Sequence, residues 1–127
     1  MKKAIILFFL IITACGSSPA INITEVDNGK TIPTKIGDEI SITLAGNATT
    51  GYNWQFSSDK PAHSKVIQEK YIVEKHPTGM VGVGGKSIYQ IKVMKTGKFV
   101  ITAQYYRPWE KFDFQKDKHF EFIFEAK

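Results

Sequence analysis

Alternation with a period of two runs through most of the chain and decides what it can fold into. Ile40, Ile42 and Leu44 alternate with Glu39, Ser41 and Thr43. Tyr52, Trp54 and Phe56 alternate with Asn53, Gln55 and Ser57, and Tyr89, Ile91 and Val93 with Gln90 and Lys92. Phe99, Ile101, Ala103 and Tyr105 alternate with Val100, Thr102 and Gln104, and Phe120, Phe122 and Phe124 with Glu121, Ile123 and Glu125. Successive side chains of a strand point to opposite faces, so each run describes a strand with one apolar face. Ile21 and Ile23 open a shorter strand, and Ser64 to Val73 form a weaker one. No segment carries a 3.6-residue apolar stripe. About seven strands in a chain of this size predict an all-β fold, an immunoglobulin-like two-sheet β-sandwich. Trp54, flanked by Tyr52 and Phe56, is expected in its core, with Tyr52 packing at a loop base.

The chain has 127 residues, 43% of them hydrophobic. That suffices for one well-filled core and not for two. Cys15 is the single cysteine, so an internal disulfide is excluded and the domain is held by packing alone.

Asp27-Asn28-Gly29 and Thr96-Gly97 read as compact turns. Three other connections differ in composition. Residues 46–51 are Gly-Asn-Ala-Thr-Thr-Gly, residues 75–86 hold four glycines, and residues 107–117 open with Arg-Pro-Trp. If successive strands run up and down, these three connections fall at one end of the sandwich and Thr96-Gly97 at the other. The unusual loops are therefore expected to cluster, as binding loops do at one end of variable immunoglobulin domains.

The first residues belong to export rather than to the fold. Lys2 and Lys3 precede nine apolar residues, Ala4 to Ile12, too few to cross a bilayer as a helix. Ile12-Thr13-Ala14-Cys15 follows, then Gly16-Ser17-Ser18-Pro19. This string resembles the lipobox of bacterial lipoproteins, with Ile12 where leucine is usual. The resemblance implies a signal peptide over 1–14, a lipidated Cys15 and a short tether over 15–20, ahead of a domain over 21–127. It implies an exported, lipid-anchored protein of the cell envelope that touches the membrane through its lipid only. Gly16, where an Asp would favour the inner membrane, tilts the expectation to the outer one. Without residues 1–14 the net charge falls from +5 to +3, because Lys2 and Lys3 are lost. The charges are interspersed along the chain, which argues against nucleic-acid binding.

The three loops carry motifs. The first reads Asn47-Ala48-Thr49-Thr50-Gly51 before Tyr52, the second contains Gly82-Val83-Gly84-Gly85, and the third begins Arg107-Pro108-Trp109. In this order they resemble the chagasin family of cysteine-protease inhibitors, which carries Asn-Pro-Thr-Thr-Gly-aromatic, Gly-x-Gly-Gly and Arg-Pro-Trp. The resemblance covers roughly residues 30–125; Ala48 replaces the family's proline. It implies reversible occlusion of the active-site cleft of papain-like cysteine proteases by a three-loop wedge, with Asn47 to Gly51 nearest the catalytic pair. The residue types suit those roles. Thr49 and Thr50 are small and stiff, Gly51, Gly82, Gly84 and Gly85 allow close backbone approach, and Trp109 supplies rigid apolar area. Pro108 fixes the approach to Trp109, and Arg107 can stack on an aromatic ring or pair with a carboxylate.

Other chemistry is not supported by the residues. His63, His76 and His119 follow no metal-ligand spacing, the carboxylates form no acid–base pair, and no thiol follows Cys15. No cofactor, metal or catalytic role is expected, and the chain reads as a monomeric non-enzyme. The alternative is an envelope lipoprotein with an immunoglobulin-like adhesion or carbohydrate-binding module, in which Trp109, Tyr105 and Tyr106 would stack on sugar rings. A hydrolase is the weakest option.

Overall fold

A computed structural model describes residues 20–74 and 84–127. Among the described residues, eight strands form two four-stranded sheets: β1 (Ile21–Ile23), β2 (Thr31–Thr34), β3 (Glu39–Gly46), β4 (Asn53–Ser58), β5 (Ser64–Val73), β6 (Gly85–Val93), β7 (Gly97–Tyr106) and β8 (Lys118–Ala126). One sheet has the order β1-β3-β6-β5, the other β2-β8-β7-β4. The two-sheet sandwich is as expected, with one strand more. The unforeseen strand is β2, whose sequence Thr-Ile-Pro-Thr is short and holds a proline. Proline cannot donate to a ladder, and β2 sits accordingly at a sheet edge.

Strand direction follows from the added strand. β1 runs parallel to β3, β2 runs parallel to β8, and every other pairing is antiparallel. Counting β2, odd strands run one way within a sheet and even strands the other. The first two strands read from the sequence, at residues 21–23 and 40–44, run parallel and not up and down because β2 lies between them, and the alternation holds from β3 onward.

The alternating residues meet between the sheets. Ile40, Ile42, Leu44, Ile91, Val93, Phe99, Ile101, Ala103, Phe122 and Phe124 are fully buried. Trp54 is buried with them, as expected, while Phe56, Tyr105 and Phe120 pack on the core's margin. Burying a Leu, Ile or Phe side chain stabilises a fold by about 1.5–3 kcal/mol, so this apolar layer compensates for the missing disulfide. β5 ends its sheet and leaves Val66, Ile67, Ile72 and Val73 exposed. Its alternation was weak because an edge strand has less core to cover. A bulge between Val66 and Gln68 and the charged Lys65, Glu69 and Lys70 make that edge a poor template for another strand.

Candidate functional site

The ends of the strands place the three loops. Gly46, the last residue of β3, stands opposite Gly85, the first of β6, and Gly85 also stands opposite Val73, the last of β5. In the other sheet Asn53, the first residue of β4, faces Tyr106, the last of β7, and Tyr105 faces Lys118, the first of β8. Side-chain hydrogen bonds join the sheets at this pole. The Trp54 indole Nε1 donates to the Ala45 carbonyl at 3.0 Å, and the Asn47 amide donates to the Tyr105 hydroxyl at 2.9 Å. All three connections therefore leave the sandwich at one pole.

An aromatic column braces it. Tyr105 lies 4.8 Å from Trp54 and 5.3 Å from Tyr52, and Trp54 stacks on Phe120 at 5.2 Å. Ring pairs at these distances contribute beyond area burial. Tyr52 thus packs at the loop base. Tyr105 is held between two rings with its hydroxyl accepting from Asn47, and Tyr106 meets Phe112 edge-on at 5.4 Å. Both rings are engaged inside the protein, which does not favour the alternative of a sugar-stacking platform with Trp109.

The first loop is a self-capped turn. Ala48–Thr50 form one 3-10 turn, and the Thr50 amide donates to the Asn47 carbonyl at 3.3 Å. Asn47 acts as its cap: its Oδ1 accepts from the Thr49 amide at 3.1 Å and from the Thr49 hydroxyl at 2.5 Å. The Thr50 hydroxyl donates to the Asn47 carbonyl at 2.7 Å. Both threonines are exposed, yet each hydroxyl proton is committed within the loop. What they present outward is small, stiff bulk and acceptor lone pairs rather than donors. Gly51 ends the turn at φ +83°, a conformation that favours glycine.

The third loop is tied to the first. Glu110 N donates to the Arg107 carbonyl at 2.9 Å, closing a turn with Pro108 at its second position, where a fixed φ is an advantage. Arg107 reaches across: its Nε donates to the Thr50 carbonyl at 3.0 Å, and its guanidinium lies 4.8 Å above the Tyr52 ring. Its ion pair with Glu110, at 3.5 Å, is exposed and contributes little. Both uses foreseen for Arg107 are thus satisfied inside the protein, where it clamps two loops together. Trp109 is 72% exposed, with one edge of its indole against Gly51. Beyond it, Asp113 and Asp117 close a second turn: the Asp117 carboxylate accepts from Asp113 N and the Asp113 carboxylate from Gln115 N.

Of the second loop, Gly82 and Val83 lie outside the described residues, as does Cys15. Gly84 and Gly85 are described. The Glu74 amide donates to the Gly84 carbonyl at 3.2 Å, closing the base of the loop beside Gly46. Gly85 is buried within β6, and a Cβ there would collide with the Ile72 carbonyl and the Tyr71 hydroxyl. Tyr71 in turn donates to the Gly46 carbonyl at 3.4 Å. Gly85, expected as backbone to be laid against a partner, makes room for Tyr71, and strand β6 begins at Gly85 where a loop through Lys86 was expected.

The profile of the "Chagasin family peptidase inhibitor I42" matches residues 34–124. The chain belongs to the chagasin family. Amoebiasin-1 of Entamoeba histolytica is 36% identical over 89 residues, covering 70% of this chain and 84% of that protein. Amoebiasin-2 of the same organism is 35% identical over 109 residues, covering 86% and 87%. Among solved structures, the cysteine protease inhibitor EhICP2 from Entamoeba histolytica superposes with a TM-score of 0.75 at 28% identity, covering 85% of this chain and 96% of that one. The chagasin match spans both motif-bearing loops described above, and this protein is an inhibitor of cysteine proteases, not an enzyme. Sequence reasoning did not reveal the internal ties of this chagasin-type site: Asn47 as cap, Arg107 as clamp and Tyr71 over Gly85. The Asn-x-Thr spacing signals a capped turn, but the other two depend on neighbours far away in sequence.

Proposed function

We propose that the pole bearing Asn47 to Gly51, Gly82 to Gly85 and Arg107 to Trp109 enters the active-site cleft of a papain-like cysteine protease and blocks it reversibly. The observation that carries this reading is the pairing of exposed Thr49, Thr50 and Trp109 with a rigid base. The first loop is capped by Asn47, clamped by Arg107 and set on the Tyr52–Tyr105–Trp54 column. A loop already ordered in its bound shape loses little entropy on binding. A narrow slot admits a two-threonine turn, while a broad indole suits the wall beside it. The mechanism has no chemical step. The catalytic thiolate meets a loop whose backbone is held in its own hydrogen bonds rather than offered as an extended substrate.

The experiment is competition. The inhibitor should raise the apparent KM of papain for a peptide substrate without changing kcat, and papain whose cleft is filled by an irreversible inhibitor should not bind. Full binding to the filled enzyme would place the contact elsewhere.

The same reading takes the protein as a monomer held at the membrane, preferentially the outer one, by lipid on Cys15. What supports it is the positive start, the short apolar run and the small residues before Cys15. Labelled palmitate should enter the expressed protein, and Cys15→Ser should abolish labelling and release the protein in soluble form. Unchanged membrane partitioning of Cys15→Ser would end this part of the reading.

A further inference from the structure

The pole opposite the three loops has a composition of its own. Ile21, the first residue of β1, pairs with Ile40 near the start of β3, so the chain enters the domain at that far pole. The connections there are Lys35–Asp38, Asp59 to His63 and Met94 to Gly97. They are drawn together by hydrogen bonds from Gly37 N to the Val93 carbonyl, Val93 N to the Asp38 carbonyl and Met94 N to the His63 carbonyl. Ile36, 56% exposed, and Met94, 45% exposed, are two large apolar side chains on these adjoining turns. Around them stand exposed Lys35, Lys60, Lys65, Lys95, Lys98 and Lys127.

The carboxylates of this pole are fewer than its lysines. Asp38 accepts from Lys35 N at 2.9 Å, and Asp59 accepts from Val100 N at 2.7 Å. Glu39 stands across the ladder from Lys92, and Glu125 from Lys98. With Lys92, seven lysines stand against four carboxylates here, an excess of three positive charges. Among the described residues of the loop pole, Lys86, Arg107, Lys111, Lys116 and Lys118 stand against Glu74, Glu110, Asp113 and Asp117, an excess of one.

We propose that this lysine-rich pole is a membrane-facing surface. Its ammonium groups rest on anionic lipid headgroups, and Ile36 and Met94 reach the interface between headgroups and acyl chains. Juxtamembrane lysines are attracted to anionic leaflets, and exposed apolar residues among them add burial. The occupant follows from where the chain enters. Cys15 precedes Ile21 by six residues, which span at most about 20 Å. A lipid on that thiol, as proposed above, leaves the far pole within reach of the bilayer. The eight residues of β3 then hold the inhibitory loops on the order of 25 Å farther out. A tether of six residues would by itself leave the domain free to tumble; a basic contact at its root fixes the loops outward, towards proteases in solution.

The test needs no lipid on the protein, so its failure is distinct from failure of the anchor. Residues 20–127 contain both sheets and the entire core, and that span corresponds to nearly the full length of the solved relative. This fragment is to be floated with vesicles of phosphatidylglycerol and phosphatidylcholine and, in parallel, with phosphatidylcholine alone. It should bind the anionic vesicles only, and more weakly as salt rises. Reversal of Lys95, Lys98 and Lys127 to Glu should lower the binding constant on the order of fivefold or more per lysine, with papain inhibition unchanged. Reversal of Lys70, Lys86 and Lys118 should have much less effect. Ile36→Ser with Met94→Ser should weaken the binding that remains at high salt. Absence of binding to anionic vesicles, or equal losses in the two triple variants of unchanged melting temperature, would overturn the proposal.

Discussion

Trp109 lies so close to Gly51 that a methyl group on Gly51 would stand 2.5 Å from the indole Cη2. The glycine that ends the first loop is therefore also the seat of the aromatic that opens the third. Gly51→Ala meets two obstacles, a φ of +83° and the indole itself. The backbone term alone costs roughly 1–2 kcal/mol. Trp109 is exposed and can swing away, so the fold should survive with a modestly lowered Tm. Inhibition should weaken by tenfold or more, because the two loops lose their shared geometry. Inhibition within twofold of the parent would show that the Gly51–Trp109 seating is irrelevant to binding.

Trp109 itself separates binding from folding. At 72% exposure it adds little to the core. Trp109→Ala should move stability by no more than about 0.5 kcal/mol, the range of surface substitutions. As a central aromatic anchor it should cost about 2–4 kcal/mol of binding, about 30- to 1,000-fold in Kd. The loss should appear in the off-rate. Kinetics and melting measured on one sample decide; a large fall in Tm would make Trp109 a structural residue.

Ala48 offers a test in the gain direction. It opens the 3-10 turn, the position where a proline ring is pre-organised and its missing N–H leaves no ladder bond unmade. Ala48→Pro should tighten inhibition about two- to fivefold, corresponding to about 0.4–1 kcal/mol. An inhibition constant threefold worse at unchanged Tm would show that the loop uses a shape that proline does not permit.

Tyr89 sets an alkaline limit. Burial, and after it the nearby Glu69 carboxylate, raise the pKa of its hydroxyl above the ordinary tyrosine value of 10.0. The folded state thus holds the phenol proton more tightly than the unfolded state does. The resulting stabilisation is fully present below the unfolded pKa and is lost as pH rises through the raised folded one. Denaturation between pH 9 and 12 should show stability falling with pH at the alkaline end. Tyr89→Phe, which keeps the ring stacked on Phe56 at 4.4 Å, should flatten that dependence. An identical slope in the variant would assign the alkaline loss to other groups.

The core was legible because it rests on a local rule. Ile40, Ile42 and Leu44 alternate with polar residues, Phe99, Ile101 and Ala103 with Val100 and Thr102, and each of these six inward residues is buried. β2 was not legible, since Pro33 and a single Ile32 give no alternation; its place comes from pairing with β8, about ninety residues away. The loop residues were legible as a set through their motifs, and their clustering through strand parity. Their internal bonding was not. Thr49 and Thr50 read as small and stiff, and the commitment of their hydroxyls to Asn47 was not visible. Gly85 was read as close backbone approach, and the fit of Tyr71 against it had no signal in the sequence. Such assignments depend on residues brought close only by the finished sheets.

The central claim is that the small turn at Thr49 and Thr50 occupies the protease cleft. The direct measurement is titration of papain with residues 20–127, as the parent and as Thr50→Trp, with melting followed on both. Thr50 is exposed, so the substitution should leave Tm within a few degrees. The parent should inhibit hydrolysis competitively and stoichiometrically, and Thr50→Trp should not, because an indole cannot enter a slot filled by a threonine. Equal inhibition by parent and variant, at equal Tm, would contradict the account.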